Sequence, residues 1–180
     1  MLKKRISRTN IQVKEDMYKA LLKLIKKEPF SSISVSDITF EAKVSRMSFY
    51  RNYDTIEDIL LEHLKEVVEK YKSEKIEDSV VESEKAFQEI EYITQCFEFF
   101  YAQHEFIDAL ILAGMGDMFL AKITEHFIKI WLTEENTTRK NLLKISAYAG
   151  SIYNMYREWS KEGFVELPEE VAGIFCDLRK

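Results

Sequence analysis

Along the chain, apolar side chains return at steps of three and four residues, and nowhere do apolar and polar residues alternate over the length of a strand. Met17, Leu21, Leu24 and Ile25, with Tyr18 and Leu22 beside them, form one such stripe and predict a helix from about Asn10 to Glu28. Pro29 ends it, because proline has no N–H to donate and disfavours helix in the residue before it. Two short helices follow, Val35 to Ala42 and Arg46 to Tyr53, separated by Lys43, Val44 and Ser45. Each opens on a serine able to cap it: Ser34, with Asp37 three residues on, forms a capping box, and Ser45 caps the second. A longer stripe of Ile56, Ile59, Leu60, Leu64, Val67, Val68 and Tyr71 predicts a fourth helix to Glu74, started by Thr55 and Asp58.

The stretch Lys72 to Lys85 is polar and acid-rich, and reads as a loop. Beyond it, helices are expected at about Glu84 to Gln103, Glu105 to Ala113, Asp117 to Leu132 and Arg139 to Glu162, and a last one starts at Pro168, where proline suits the first turn. The fold class is all-α, about nine helices with no sheet. Residues 1–55 form a three-helix N-terminal unit, and residues 56–180 a helical second domain, with the helix over 56–74 connecting the two.

Charge changes this picture. The net charge of −5 over 180 residues hides a basic head: Met1 to Tyr53 carry 12 Lys and Arg against 5 acids, a balance of +7, and the remainder is −12. Such asymmetry suits a basic part that meets nucleic acid or an anionic surface; a solvated lysine face gives the same count. Cys96 and Cys176 are too far apart for a disulfide framework or a zinc site and read as buried thiols in a reducing compartment. The longest uncharged run, Ile145 to Tyr156, is too short to cross a bilayer at about 1.5 Å per residue, and no apolar run follows the charged N-terminus, so a cytoplasmic protein without a membrane partner is expected.

Two short helices joined by a three-residue turn, after a longer helix and before a fourth, describe a helix-turn-helix unit. Val35, Ile38, Ala42, Val44, Phe49 and Tyr53 fit its interior. With Phe49 and Tyr53 inward at i and i+4, Met47, Ser48 and Arg51 point outward and Tyr50 lies on the flank. Arg51 can pair with a guanine edge, Ser48 with either base type, and Met47 can lie on a thymine methyl. Tyr50, Ser34 and the arm bearing Lys3, Lys4, Arg5 and Arg8 suit phosphates, which position rather than specify. The candidate DNA-contacting set is Lys3, Lys4, Arg5, Ser34, Ser45, Arg46, Met47, Ser48, Tyr50, Arg51 and Asn52.

The segment from Ser34 to Tyr53 resembles the DNA-binding segment of the TetR/AcrR family of transcriptional regulators, through Asp37-Ile38, Ala42, Val44-Ser45 and Phe49-Tyr50-Arg51. Three positions depart from the family pattern. Lys43 stands where glycine is usual and implies a residue at φ > 0; Thr39 replaces an alanine and bears on the spacing of the short helices; and Ile56 replaces a phosphate-binding lysine at the start of the fourth helix. Trp159, Gly163-Phe164 and Leu167-Pro168 look like the end of the second domain in a subgroup related to the regulator of dihydroxyacetone kinase genes.

The resemblance implies a homodimer on a palindromic double-stranded DNA operator, with recognition helices about 34–36 Å apart. It also implies an effector-binding second domain and, by family habit, a repressor rather than an activator. Small residues from Ser146 to Ser151 permit close helix approach, either between subunits or within one; with the last helix they make Ala147, Gly150, Ser151, Val171 and Phe175 candidates for the dimer interface. The aromatic stretch from Phe87 to Trp131 packs a core by default, and Gln95, Tyr101, His104, His126 and Asn154 are candidates for orienting an unknown small-molecule effector. No cofactor, metal or catalytic residue is expected: His63, His104 and His126 are isolated, and no H-E-x-x-H, G-x-S-x-G, Walker or dinucleotide motif occurs. A helical adaptor that binds only protein remains the alternative from another class; it would leave the basic head unexplained.

Overall fold

The computed structural model describes residues 9–75 and 90–178, and among these residues the regular structure is entirely helical. Nine α-helices run in the order α1 (Asn10–Ile25), α2 (Val35–Glu41), α3 (Arg46–Tyr50), α4 (Glu57–Lys75), α5 (Ile90–Ala102), α6 (His104–Leu112), α7 (Gly116–Trp131), α8 (Arg139–Lys161) and α9 (Pro168–Asp177). The chain divides into two compact units, Met1–Glu66 and Val67–Lys180, so α4 contributes to both. The boundary falls within α4 rather than at its start. The expected loop also begins later than Lys72, since Lys72 to Lys75 complete α4; its remainder, with the first turn expected for the fifth helix, lies outside the described residues.

In the first unit, Met17, Leu21, Ile38, Phe49 and Leu60 are wholly buried, joined by Ala20, Leu24, Ile25, Ile33, Ala42, Tyr53, Ile59 and Leu64. The periodicity that predicts the helices is therefore the periodicity that builds this core. Val35 and Val44 are half-buried at its edge. α1 stops at Ile25, three residues before Glu28: Lys27 and Glu28 both turn their N–H groups to the Leu24 carbonyl, at 2.8 and 3.1 Å. A short 3₁₀ turn at Phe30–Ser32, which the apolar pattern does not announce, then leads to α2.

In the second unit α9 packs along α5, α7 along α8, and α6 against α7. Ile93, Cys96, Phe97, Phe100, Phe106, Ile107 and Leu110 fill the space between them, with Phe119, Phe127, Ile152, Tyr156 and Phe175 from the later helices. Two polar ties cross this apolar interior. Asp108 on α6 accepts from the Tyr156 hydroxyl at 2.8 Å and from Ser160 at 2.7 Å, both on α8. Burial, reinforced by the Asp108 charge, pushes the Tyr156 phenol far above its usual range.

The end of α8 explains Trp159 and Gly163-Phe164. Gly163 (φ 76°) donates to Ser160 and Phe164 to Trp159, at 3.0 and 2.9 Å, a Schellman ending that needs a left-handed residue after the helix cap. The hydrophobic contact that accompanies such endings is the Trp159–Phe164 ring pair, 4.9 Å between centroids. The Trp159 indole N–H then holds the next turn through the Glu166 carbonyl at 3.0 Å.

Candidate nucleic-acid interface

The helix-turn-helix is set by its caps. Ser34 accepts from the Asp37 N–H at 3.3 Å while the Asp37 carboxylate accepts from the Ser34 N–H at 2.9 Å, the reciprocal box that starts α2. The Ser34 hydroxyl also donates to this carboxylate, and that bond, with the one from the Ser34 N–H, holds the Asp37 carboxyl below its usual range. At the far end of α2, Lys43 N–H donates to the Phe40 carbonyl at 3.1 Å and Val44 N–H to Thr39 at 3.0 Å. This is again a Schellman ending, and Lys43 occupies its left-handed position at φ 54°. A lysine thus adopts the conformation for which glycine is best suited. Thr39 does not disturb the three-residue turn: it is buried and returns its hydroxyl to the Val35 carbonyl at 2.9 Å.

Ser45 caps α3, accepting from Ser48 N–H at 3.1 Å. Because Phe49 and Tyr53 are anchored in the core, the other side of α3 faces solvent: Met47 is 65% exposed, Tyr50 59%, and Arg46 and Arg51 are exposed. Ser48 is half-buried, its hydroxyl 2.9 Å from that of Ser45. Arg46 reaches back to the Ser36 hydroxyl on α2, and Asn52 donates to the Ser48 carbonyl at 2.7 Å, closing the last turn. Ser34, Ser45 and Asn52 therefore all have local structural work, and Met47, Tyr50 and Arg51 are the side chains left to reach outward. Phe40, 84% exposed on α2, is a large apolar side chain that the sequence pattern does not single out. Lys3, Lys4 and Arg5 lie outside the described residues.

A polar clamp holds α1 and α4 together within this unit. Glu62 accepts from Lys14 at 2.5 Å and from the Tyr53 hydroxyl at 2.7 Å, and the Lys14 ammonium sits 5.5 Å from the Tyr53 ring centre. Burial pushes the Glu62 carboxyl up, but the bonds from Lys14 and Tyr53 outweigh it and leave the group below its usual range. Beside the clamp, His63 stacks on Tyr18 at 4.0 Å and meets Glu66 through Nδ1 at 3.1 Å. At the start of α4, where a basic residue was absent from the sequence, the Asp58 carboxylate accepts from Thr55 and Asp54 N–H groups at 2.7 and 3.1 Å.

In the second unit, the five effector candidates do not converge. His126 alone lines the apolar cavity of about 30 Å³ formed with Val67, Val68, Tyr71, Phe99, Phe100, Phe119, Lys122, Ile123 and Phe127. Tyr101 and His104 stack on each other at 5.6 Å beside Trp159 and Phe164, Gln95 is half-buried on α5, and Asn154 is exposed on α8. The five lie on four helices, α5 to α8, and polarity alone gives them no reason to share a cavity. The cavity walls are ordinary core residues, and Lys122 at its rim had no signal in the sequence.

Of the dimer candidates, Val171 and Phe175 are packed into the protomer, 4% and 2% exposed. The outward apolar residues of α9 are Ile174 and Leu178, at 53% and 70%. On α8, Ala147 is exposed and Gly150 and Ser151 half-exposed, in line with Leu143 at 60%. Among the described residues no group of three His, Cys, Asp or Glu side chains can hold a metal ion, and no helix is long and apolar enough to cross a membrane.

No family model matches the sequence, and no curated protein matches it either. Solved structures do. A TetR transcriptional regulator from Streptococcus agalactiae 2603V superposes with a TM-score of 0.66 at 16% identity over 94% of both chains. The fatty acid degradation regulator FadR from Bacillus halodurans gives 0.65 at 14% identity, over 91% of this chain and 96% of that one. A TetR transcriptional regulator from Rhodococcus sp. RHA1 gives 0.51 at 11%, over 93% and 94%. The superposition covers more than nine-tenths of each chain: this protein has the fold of the TetR transcriptional regulators.

Proposed function

We propose that this protein is a sequence-specific DNA-binding regulator that acts as a homodimer on a palindromic operator in the cytoplasm, without enzymatic activity, and responds to a small-molecule effector. The observation that carries the reading is α3. It is held from behind by Phe49 and Tyr53 and presents Met47, Tyr50 and Arg51 to solvent, in the part of the sequence that carries the excess of basic residues. A helix of this kind reads base edges, while flanking cations supply the salt-dependent phosphate contacts. Dimerisation draws support from the exposed line of Leu143, Ala147, Ile174 and Leu178 on α8 and α9. Repression is the reading we adopt over activation.

Selection of bound sequences from a random duplex pool, followed by salt titration of the winner, tests it. A palindromic winner with steep salt dependence is the expected result. No enrichment at any salt overturns the reading and leaves a protein-binding adaptor. Arg51→Ala is expected to cost about 1–3 kcal/mol and to relax preference at one position, whereas replacing Lys3, Lys4 and Arg5 together should weaken binding to all sequences and flatten the salt slope.

A further inference from the structure

We propose that Ser36 of α2 is a positioning residue for DNA reading: it holds the guanidinium of Arg46, and Arg46 so held reads a guanine in each half-site. The proposal rests on the DNA-binding reading above and deepens it with a residue outside the candidate set.

Both ends of this pair are fixed by the fold. Ser36 stands between Ser34 and Asp37, whose reciprocal bonds start α2, and is followed by Ile38 and Thr39 in the core. Its own side chain is half-buried. Arg46 is the first residue of α3, its backbone held by the Ser45 cap before it and by wholly buried Phe49 after it. What remains to be placed is the exposed arginine side chain, and its Nη2 donates to the Ser36 hydroxyl oxygen. An unheld arginine gives up its rotamer freedom when it binds; here part of that loss falls on folding instead.

The place on the helix and the unused donors decide what the held group reaches. In a helix-turn-helix the N-terminal residues of the second helix meet base edges, while the first helix crosses the DNA backbone. Arg46 lies at that end of α3, and Arg51 at the opposite end, as its C-cap. The Ser36 bond occupies one N–H of Nη2. The second N–H of Nη2, with that of Nη1 or of Nε beside it, still forms the fork that pairs with guanine O6 and N7.

Two measurements test the assignment, the first without DNA. In the free full-length protein, NMR relaxation of the side-chain Nε–H groups should show Arg46 more restrained than Arg51, and Ser36→Ala should make the two equally mobile. Sites are then selected from a random duplex pool by the parent and by Ser36→Ala, Ser36→Thr, Arg46→Ala and Arg51→Ala. The parent should select a half-site guanine that Arg46→Ala loses and Arg51→Ala keeps. Ser36→Ala should lower the preference for that guanine about two- to tenfold, as one exposed hydrogen bond allows. Ser36→Thr, which keeps the hydroxyl, should retain it, and in the Arg46→Ala background Ser36→Ala should change nothing further. The urea midpoint of Ser36→Ala should stay close to the parent's, so that lost preference is not lost fold. Arg46 as mobile as Arg51 in the parent, an unchanged preference in Ser36→Ala, or an equal loss on every sequence, the mark of a phosphate contact, overturns the proposal while a selected operator keeps the regulator reading. A parent that selects no sequence sinks both.

Discussion

Gly116 opens α7 at a point where the fold leaves no room for a side chain. A Cβ built there would sit 2.2 Å from the Tyr153 hydroxyl oxygen, and 3.4 Å from both Tyr153 Cζ and Ile111 Cγ1. Tyr153 is 5% exposed on α8, so its ring cannot swing into solvent. Gly116→Ala must therefore move the ring or the helix start by roughly 1 Å. Overpacking of this size costs about 1–3 kcal/mol. A contact as short as 2.2 Å takes the upper part of that range, about 2–3 kcal/mol, and alanine's better helix propensity returns about 1 kcal/mol, which leaves a net loss of about 1–2 kcal/mol. Tyr153→Phe removes the clashing oxygen and keeps the ring, and the two remaining contacts at 3.4 Å are ordinary van der Waals distances. In that background Gly116→Ala should become neutral or stabilising. Urea denaturation of the four proteins, followed by circular dichroism, gives the coupling energy, expected at about 2 kcal/mol with a change of sign in the Gly116→Ala effect. Additive effects, or a Gly116→Ala protein as stable as the parent, would refute the steric account.

Other consequences are smaller in scope. Ser34→Ala removes one half of the α2 capping box and should cost about 1 kcal/mol in urea melts. Lys43→Val places a β-branched residue at φ 54° and should cost more than Lys43→Gly, which relieves the left-handed strain; equal stabilities would show that the turn relaxes freely. Burial lowers the His63 pKa below its usual 6.5, against the opposing pull of Glu66 and Glu15. The unfolded chain then takes the proton first, so His63 contributes stability at neutral pH that is lost as pH falls from about 6.5 through the folded value. NMR titration should find that lower midpoint, and His63→Gln should remove this part of the acid destabilisation.

The first unit was legible because its signals are local. Serines at 34 and 45, proline at 29 and a three-residue gap fix helix ends within a few positions, and Phe49 with Tyr53 fixes which face of α3 turns outward. Even the lysine in a glycine position was readable, since only a left-handed residue allows the Lys43 and Val44 N–H groups to close α2. What the pattern did not show was Asn52, whose amide closes on the Ser48 carbonyl four residues back; Ser34 and Ser45 are occupied, as their capping positions predict, by backbone N–H groups three residues on.

The second unit was legible in its helices and not in its sites, for a reason that Phe175 makes plain. A helix with apolar residues at Val171, Ile174, Phe175 and Leu178 has one broad apolar face, and nothing in its spacing says which part meets its own protomer. Packing α9 along α5 buries Val171 and Phe175, and the twist of the helix leaves Ile174 and Leu178 outside. The apolar surface left exposed is thus offset by one residue from the surface that fills the core. The cavity follows the same logic. Its walls come from α4, α5 and α7, each contributing residues spaced for ordinary core packing, and only their convergence leaves a space between them. Lys122 follows from the same convergence: it is a lysine on the exposed side of an amphipathic helix, and it borders the cavity only because Ile123 and His126 beside it are turned inward.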